Sequence, residues 1–172
     1  MWIVKPSTKP KVLKSLGYPG RMPKPRADLY EVRSLSDMGQ GVFAKHDIRR
    51  GEIIFAERPL LVLPEVHKQK SLSSILLNLS VSQQNWDSEF ERLLEAAIAH
   101  LPPESQSDFR ALRNVYTRDQ CGPLLGITRN NNYDLRNLFD GSDMSENYNI
   151  VAKIAARINH RCVSLHLSFS AL

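Results

Sequence analysis

The stretch 39-GQGVFAKHDIRRGEIIFAERP-59 decides how this chain is read. Gly39 and Gly41 flank Gln40, and a Gly-x-Gly turn permits positive φ or close approach of backbone to a ligand that a side chain would obstruct. Taken alone, it is an ordinary hairpin turn. Its neighbours give it a setting. Before it, "LYEVRSL" (29–35) alternates apolar and polar side chains and "SDMGQG" turns. After it, "VFAKHDI" resumes the alternation, "RRGE" turns again, and "IIFAERPLLVLP" (53–64) is a long apolar run broken by Pro59. The pattern predicts a small antiparallel sheet from about residue 29 to 64.

Beyond Pro64 the period changes. In "SEFERLLEAAIAHL" (88–101) the residues Phe90, Leu93, Leu94, Ala97, Ile98 and Leu101 recur at three and four, with acids early and His100 late, the arrangement a helix and its dipole favour. Pro102 and Pro103 end that helix, a second is expected from near Glu104 toward Tyr116, and a shorter one around Ser71 to Leu79. Together they form a helical insertion over about residues 68–118. A last helix is expected in "YNIVAKIAARINH" (148–160), where Ile150, Val151, Ile154, Ala155 and Ile158 make one apolar stripe that presents Asn159 and His160 at its end. Such a pair could equally be a cap and a packing residue. His67 and His100 have no partners at metal spacing and are read as surface or packing groups.

Charge divides the chain. The protein has 23 basic and 18 acidic residues, and Lys5, Lys9, Lys11, Lys14, Arg21, Lys24 and Arg26 precede the first acid, Asp28. Five of the ten prolines lie in the same stretch. Residues 1–27 are therefore expected to be an extended, flexible basic arm, a solvated strap or a weak nucleic-acid contact through phosphate neutralisation. Two cysteines, Cys121 and Cys162, are far apart and support neither a disulfide framework nor a zinc finger. The compartment expected is reducing and intracellular, nuclear or cytoplasmic. No apolar run reaches the roughly 20 residues that span a bilayer.

Taken together, the segments resemble a SET domain. Gly39–Pro59 is similar to that family's opening, in which G-x-G-v-f-A, I-x-x-G-E-x-I and E-x-P recur in order. "RINHRC" (157–162) resembles its R-x-N-H-S-C signature, and "GPLLGITRNNNYDL" (122–135) resembles the stretch preceding that signature in fungal members. The resemblance implies an α+β fold of small antiparallel sheets with a helical insertion. It also implies a protein-lysine methyltransferase using S-adenosylmethionine, acting on histone or nonhistone lysines. It carries over Gly39, Gln40, Gly41, Asn159 and His160 as cofactor-binding residues and Asn131 as a substrate-side candidate, with no metal. The chemistry suits lysine, whose amine has a pKa near 10.4 and must lose its proton and be aligned with the methyl–sulfonium axis before it attacks.

The sequence departs from the family after Cys162. There the expected proline-asparagine and the strands leading to a catalytic tyrosine are replaced by "VSLHLSFSAL" (163–172), while Tyr116, Tyr133 and Tyr148 all precede Asn159. The expectation is thus an incomplete SET domain over residues 28–162, inactive by itself, with no catalytic residue present. The atypical tail at 163–172 is read as translated intron in preference to a closing strand built on Val163, Leu165, Leu167 and Phe169. A noncatalytic interaction module using the helical insertion, or a nucleic-acid binder using the arm, are the alternatives.

Overall fold

The computed structural model describes residues 1–4, 8–14, 21–22, 26–36, 39–64, 83–135 and 148–158. The expected helix at 71–79, His67, Asn159, His160, Cys162 and the tail at 163–172 lie outside them. The chain is α+β, as expected. Strands β1 (Tyr30–Leu35) and β2 (Gly39–Ala44) form an antiparallel hairpin in which Tyr30 pairs with Ala44 and Leu35 with Gly39.

The 29–64 region is not one sheet, however. β3 (Leu61–Pro64) leaves the hairpin and joins β4 (Asn132–Leu135) and β5 (Tyr148–Val151) in a second antiparallel sheet of order β3-β5-β4. Residues 53–59, apolar in sequence, form no strand, and Ile53 stays 62 % exposed. Alternation across β3 and β5 sends Leu61, Leu63 and Val151 into one core and Val62, Tyr148 and Ile150 into another.

The main core is built on helices. The expected periodic helix is α2 (Gln83–Ala99), which buries Phe90, Leu94, Ala97 and Ile98. Pro103 opens α3 (Pro103–Arg110), where its missing N–H removes no bond and its fixed φ suits the first turn. This helix stops well before Tyr116. A further helix, α4 (Pro123–Asn131), buries Leu124, Leu125 and Ile127 against α2. No side chain of its own caps α4. Instead both carboxylate oxygens of Glu91 on α2 accept the Leu124 and Leu125 amides, at 2.9 and 2.8 Å. Gly122 makes room for this, since a Cβ there would lie 2.3 Å from the Glu91 carboxylate.

Two further expectations fail on physical grounds. Residues 148–160 do not begin as a helix: Tyr148–Val151 is the central strand β5, whose backbone bonds on both sides outweigh a helical period that a short buried apolar run also displays. The arm is not extended throughout either. Trp2 bridges Val62 in parallel, the Ile3 amide donates to the Val62 carbonyl at 2.7 Å and the Val62 amide to the Met1 carbonyl at 2.8 Å. The first proline is Pro6, so residues 1–4 keep every donor they need. Helix α1 (Thr8–Lys14) then buries Thr8 and Val12, and the hydroxyls of Thr8 and Tyr148 share a buried hydrogen bond of 2.6 Å.

Candidate functional site

The Gly-x-Gly turn opens β2. Gly39 has φ +77°, a conformation costly for other residues, and an added Cβ would meet no atom within 4 Å. It is glycine for its backbone angle, and the space beside it is open. Gln40 is exposed, while Gly41 is buried opposite Arg33.

Opposite this turn the chain leaves β5, passes Ala152–Ile154 and makes a single 3-10 turn, Ala155–Arg157. The amides leading into it, of Lys153, Ile154 and Ala155, take their acceptor from elsewhere in sequence. One side chain supplies it: the half-buried Glu57 carboxylate accepts from Lys153 at 3.0 Å, Ile154 at 2.9 Å and Ala155 at 2.6 Å. The Tyr133 hydroxyl donates to the Ala155 carbonyl at 2.5 Å. Burial, and then the neighbouring Glu57 charge, push the Tyr133 phenol above its ordinary pKa. It stays a neutral donor.

The turn delivers Arg157 to the hairpin. Its Nε donates to Gln40 Oε1 at 2.6 Å across 117 residues of sequence, while Nη1 bonds back to the Lys153 carbonyl. The Lys153 ammonium in turn pairs with Asp108 of α3 at 2.7 Å. The structure therefore brings Gly39, Gln40 and Gly41 against the beginning of the "RINHRC" segment, two residues before Asn159. The resulting edge offers exposed backbone at Gly39, an amide at Gln40 and a guanidinium at Arg157. Such groups suit a polar, charged small molecule.

Asn131 stands elsewhere. It is buried on α4, and Nδ2 donates to the carbonyls of Arg113 and Ile127, at 2.7 Å each. Both amide hydrogens are engaged in packing two segments of backbone. Three residues of the site escape sequence reasoning: Glu57, Tyr133 and Arg157. The E-x-P and R-x-N-H segments contained two of them, but neither spacing says which amides a carboxylate will meet. Among the described residues no group of His, Cys, Asp and Glu could hold a metal ion, and no helix is long and apolar enough to cross a membrane.

The family model described as SET domain matches residues 39–170, from the Gly-x-Gly turn through the final segment and including most of the tail set apart above. No curated protein and no solved structure matches the chain.

Proposed function

The chain belongs to the SET domain family, a methyltransferase-type family, and from that premise we propose that it carries the cofactor-side edge of an S-adenosylmethionine-dependent protein-lysine methyltransferase. The observation behind this reading is the bond from Arg157 to Gln40, which joins the two segments whose resemblance to the family is independent. S-adenosylmethionine fits the groups present. The open backbone at Gly39 can approach it without a side chain in the way, and Gln40 and Arg157 offer hydrogen-bonding groups to its polar ends. When bound it supplies an activated methyl group on sulfur. Asn159 and His160 would complete this edge, and Asn131 stays a weaker, substrate-side proposal because its amide hydrogens are already bonded. The methyl acceptor is a lysine of a histone or nonhistone protein.

No tyrosine follows Asn159 in these 172 residues. We therefore propose that this chain by itself holds the cofactor weakly and transfers no methyl group. The test is a titration of isotopically labelled protein with S-adenosylmethionine, alongside a transfer assay on lysine-containing protein. Shifts confined to Gly39, Gln40, Gly41, Arg157, Asn159 and His160 at millimolar cofactor support both parts. Micromolar affinity or measurable transfer overturns the second part, and the absence of any shift overturns the first.

An interaction role is favoured by one separate observation. Val115 and Tyr116, adjacent in the loop between α3 and α4, are 55 % and 37 % exposed. This role predicts a protein partner lost on Tyr116→Ser with cofactor shifts unchanged.

A further inference from the structure

We propose that Glu57 is the positioning residue of the cofactor-side edge, acting through the 3-10 turn that it caps. The inference rests on the reading of Gly39–Gly41 as that edge. The turn has little to hold itself with: its own backbone bonds are Arg157 to Ile154 and Ile158 to Ala155, both 2.9 Å, and Lys153, Ile154, Ala155 and Ala156 carry no side-chain acceptor. Three consecutive inward amides therefore need an acceptor from elsewhere in sequence, or stay unpaired in a half-buried place at a cost no short helix recovers. Glu57 supplies it from 98 residues away at the farthest amide.

Glu57 is itself well rooted. Two residues before it, Phe55 packs on Tyr30 of β1 with ring centroids 5.4 Å apart. Three residues after it, the Leu60 amide bonds to the Val151 carbonyl at 2.8 Å. One short segment thus touches the hairpin at one end and the central sheet at the other, with the carboxylate between them. Ala155 is gripped at both backbone groups, its N–H by Glu57 and its C=O by Tyr133. Two residues later the chain carries Arg157, whose Nε reaches Gln40 Oε1. Glu57 lies outside both apolar cores, so its effect on Arg157 can be read separately from the packing of those cores.

The experiment compares the labelled 172-residue chain with Glu57→Ala, Glu57→Gln and Gln40→Ala by amide exchange and by the Arg157 side-chain Nε–H signal, without cofactor. In Glu57→Ala, the amides of Lys153, Ile154 and Ala155 exchange about tenfold faster or more, as loss of charge-assisted bonds requires. The Arg157 signal moves to where Gln40→Ala puts it, while the Val62 and Val151 amides keep their rates. Glu57→Gln, which retains one acceptor oxygen, falls between. An unmoved Arg157 signal in Glu57→Ala overturns the proposal, and so does equal acceleration of Val62 and Val151, the mark of a merely structural role. A wild-type chain that shows no cofactor-induced shift sinks the cofactor reading, whereas the exchange and Arg157 results decide the positioning role on their own.

Discussion

The three-stranded sheet and the β1–β2 hairpin are both short and antiparallel, yet they are stabilised by different physics. β3 and β5 are buried at every position, with the helical core on one side and Trp2, Val4 and Tyr133 packed on the other. The hairpin buries only Gly41 among its twelve strand residues, and Val32 is 39 % exposed. What secures it is polar or aromatic: Arg157 to Gln40, the Lys45 amide to the Leu29 carbonyl, Arg33 over the Phe43 ring at 4.2 Å and Tyr30 against Phe55. The candidate site lies on the seam between the two. A site built there joins a deeply buried sheet, whose last strand leads toward Arg157, to a hairpin with little buried apolar surface.

Substitutions should separate the two regions by size of effect. Phe90→Ala, in the fully buried centre of α2, is expected to destabilise by about 3–5 kcal/mol through lost contacts and the cavity left behind, measured by denaturant unfolding. A loss under about 1 kcal/mol would remove the distinction between core and hairpin. Glu91→Ala strips α4 of its N-terminal acceptor and should cost about 1–3 kcal/mol. Glu91→Gln should recover part of that.

Asn149 sharpens the comparison by reversing the sign. It is 1 % exposed on the central strand, and among the described residues neither Nδ2 nor Oδ1 has a hydrogen-bond partner. Replacement by Leu, of the same branched shape though larger, removes an unsatisfied amide and should stabilise by about 1 kcal/mol where the site admits the added methyl volume. A destabilised variant would mean that the amide serves a bound group.

Tyr133 ties stability to pH. Its phenol is held above the ordinary value of 10.0 by burial and then by Glu57, so in alkaline solution the folded state binds more protons than the unfolded one. Its contribution is complete below pH 10.0 and is lost as pH rises through the folded value. Unfolding curves across that range should show the decline, and Tyr133→Phe should flatten it. The smallest effect belongs to the hairpin: Gln40→Ala should change stability by less than about 0.5 kcal/mol, while altering the Arg157 signal fully.

Local pattern made a good deal of this legible. The hairpin around Gly39–Gly41, the α2 stripe from Phe90 to Leu101 and the proline stop at Pro102–Pro103 each follow from neighbours in sequence, where steric preference and hydrophobic period act. The pattern misled where tertiary pairing competes with period. Tyr148–Val151 fits a helix or a buried strand equally, and only the ladder offered by β3 and β4 decides for the strand. Residues 1–4 read as part of a proline-rich arm, but β3 presented a free edge for their unpaired backbone groups. α4 could have been anticipated from Gly122-Pro123 followed by Leu124, Leu125 and Ile127, a start signal ahead of an apolar stripe.

By itself the sequence determined the α+β class, the family-like order of its two signatures and the glycine that Gly39's backbone angle demands, because each is a property of local residues or their order. Tertiary structure alone decided that β3 abandons the hairpin, that Glu57 meets three amides nearly a hundred residues later and that Arg157 reaches Gln40. A carboxylate and a guanidinium can satisfy many partners equally well, so their specificity comes from which backbone groups the buried sheet leaves facing them.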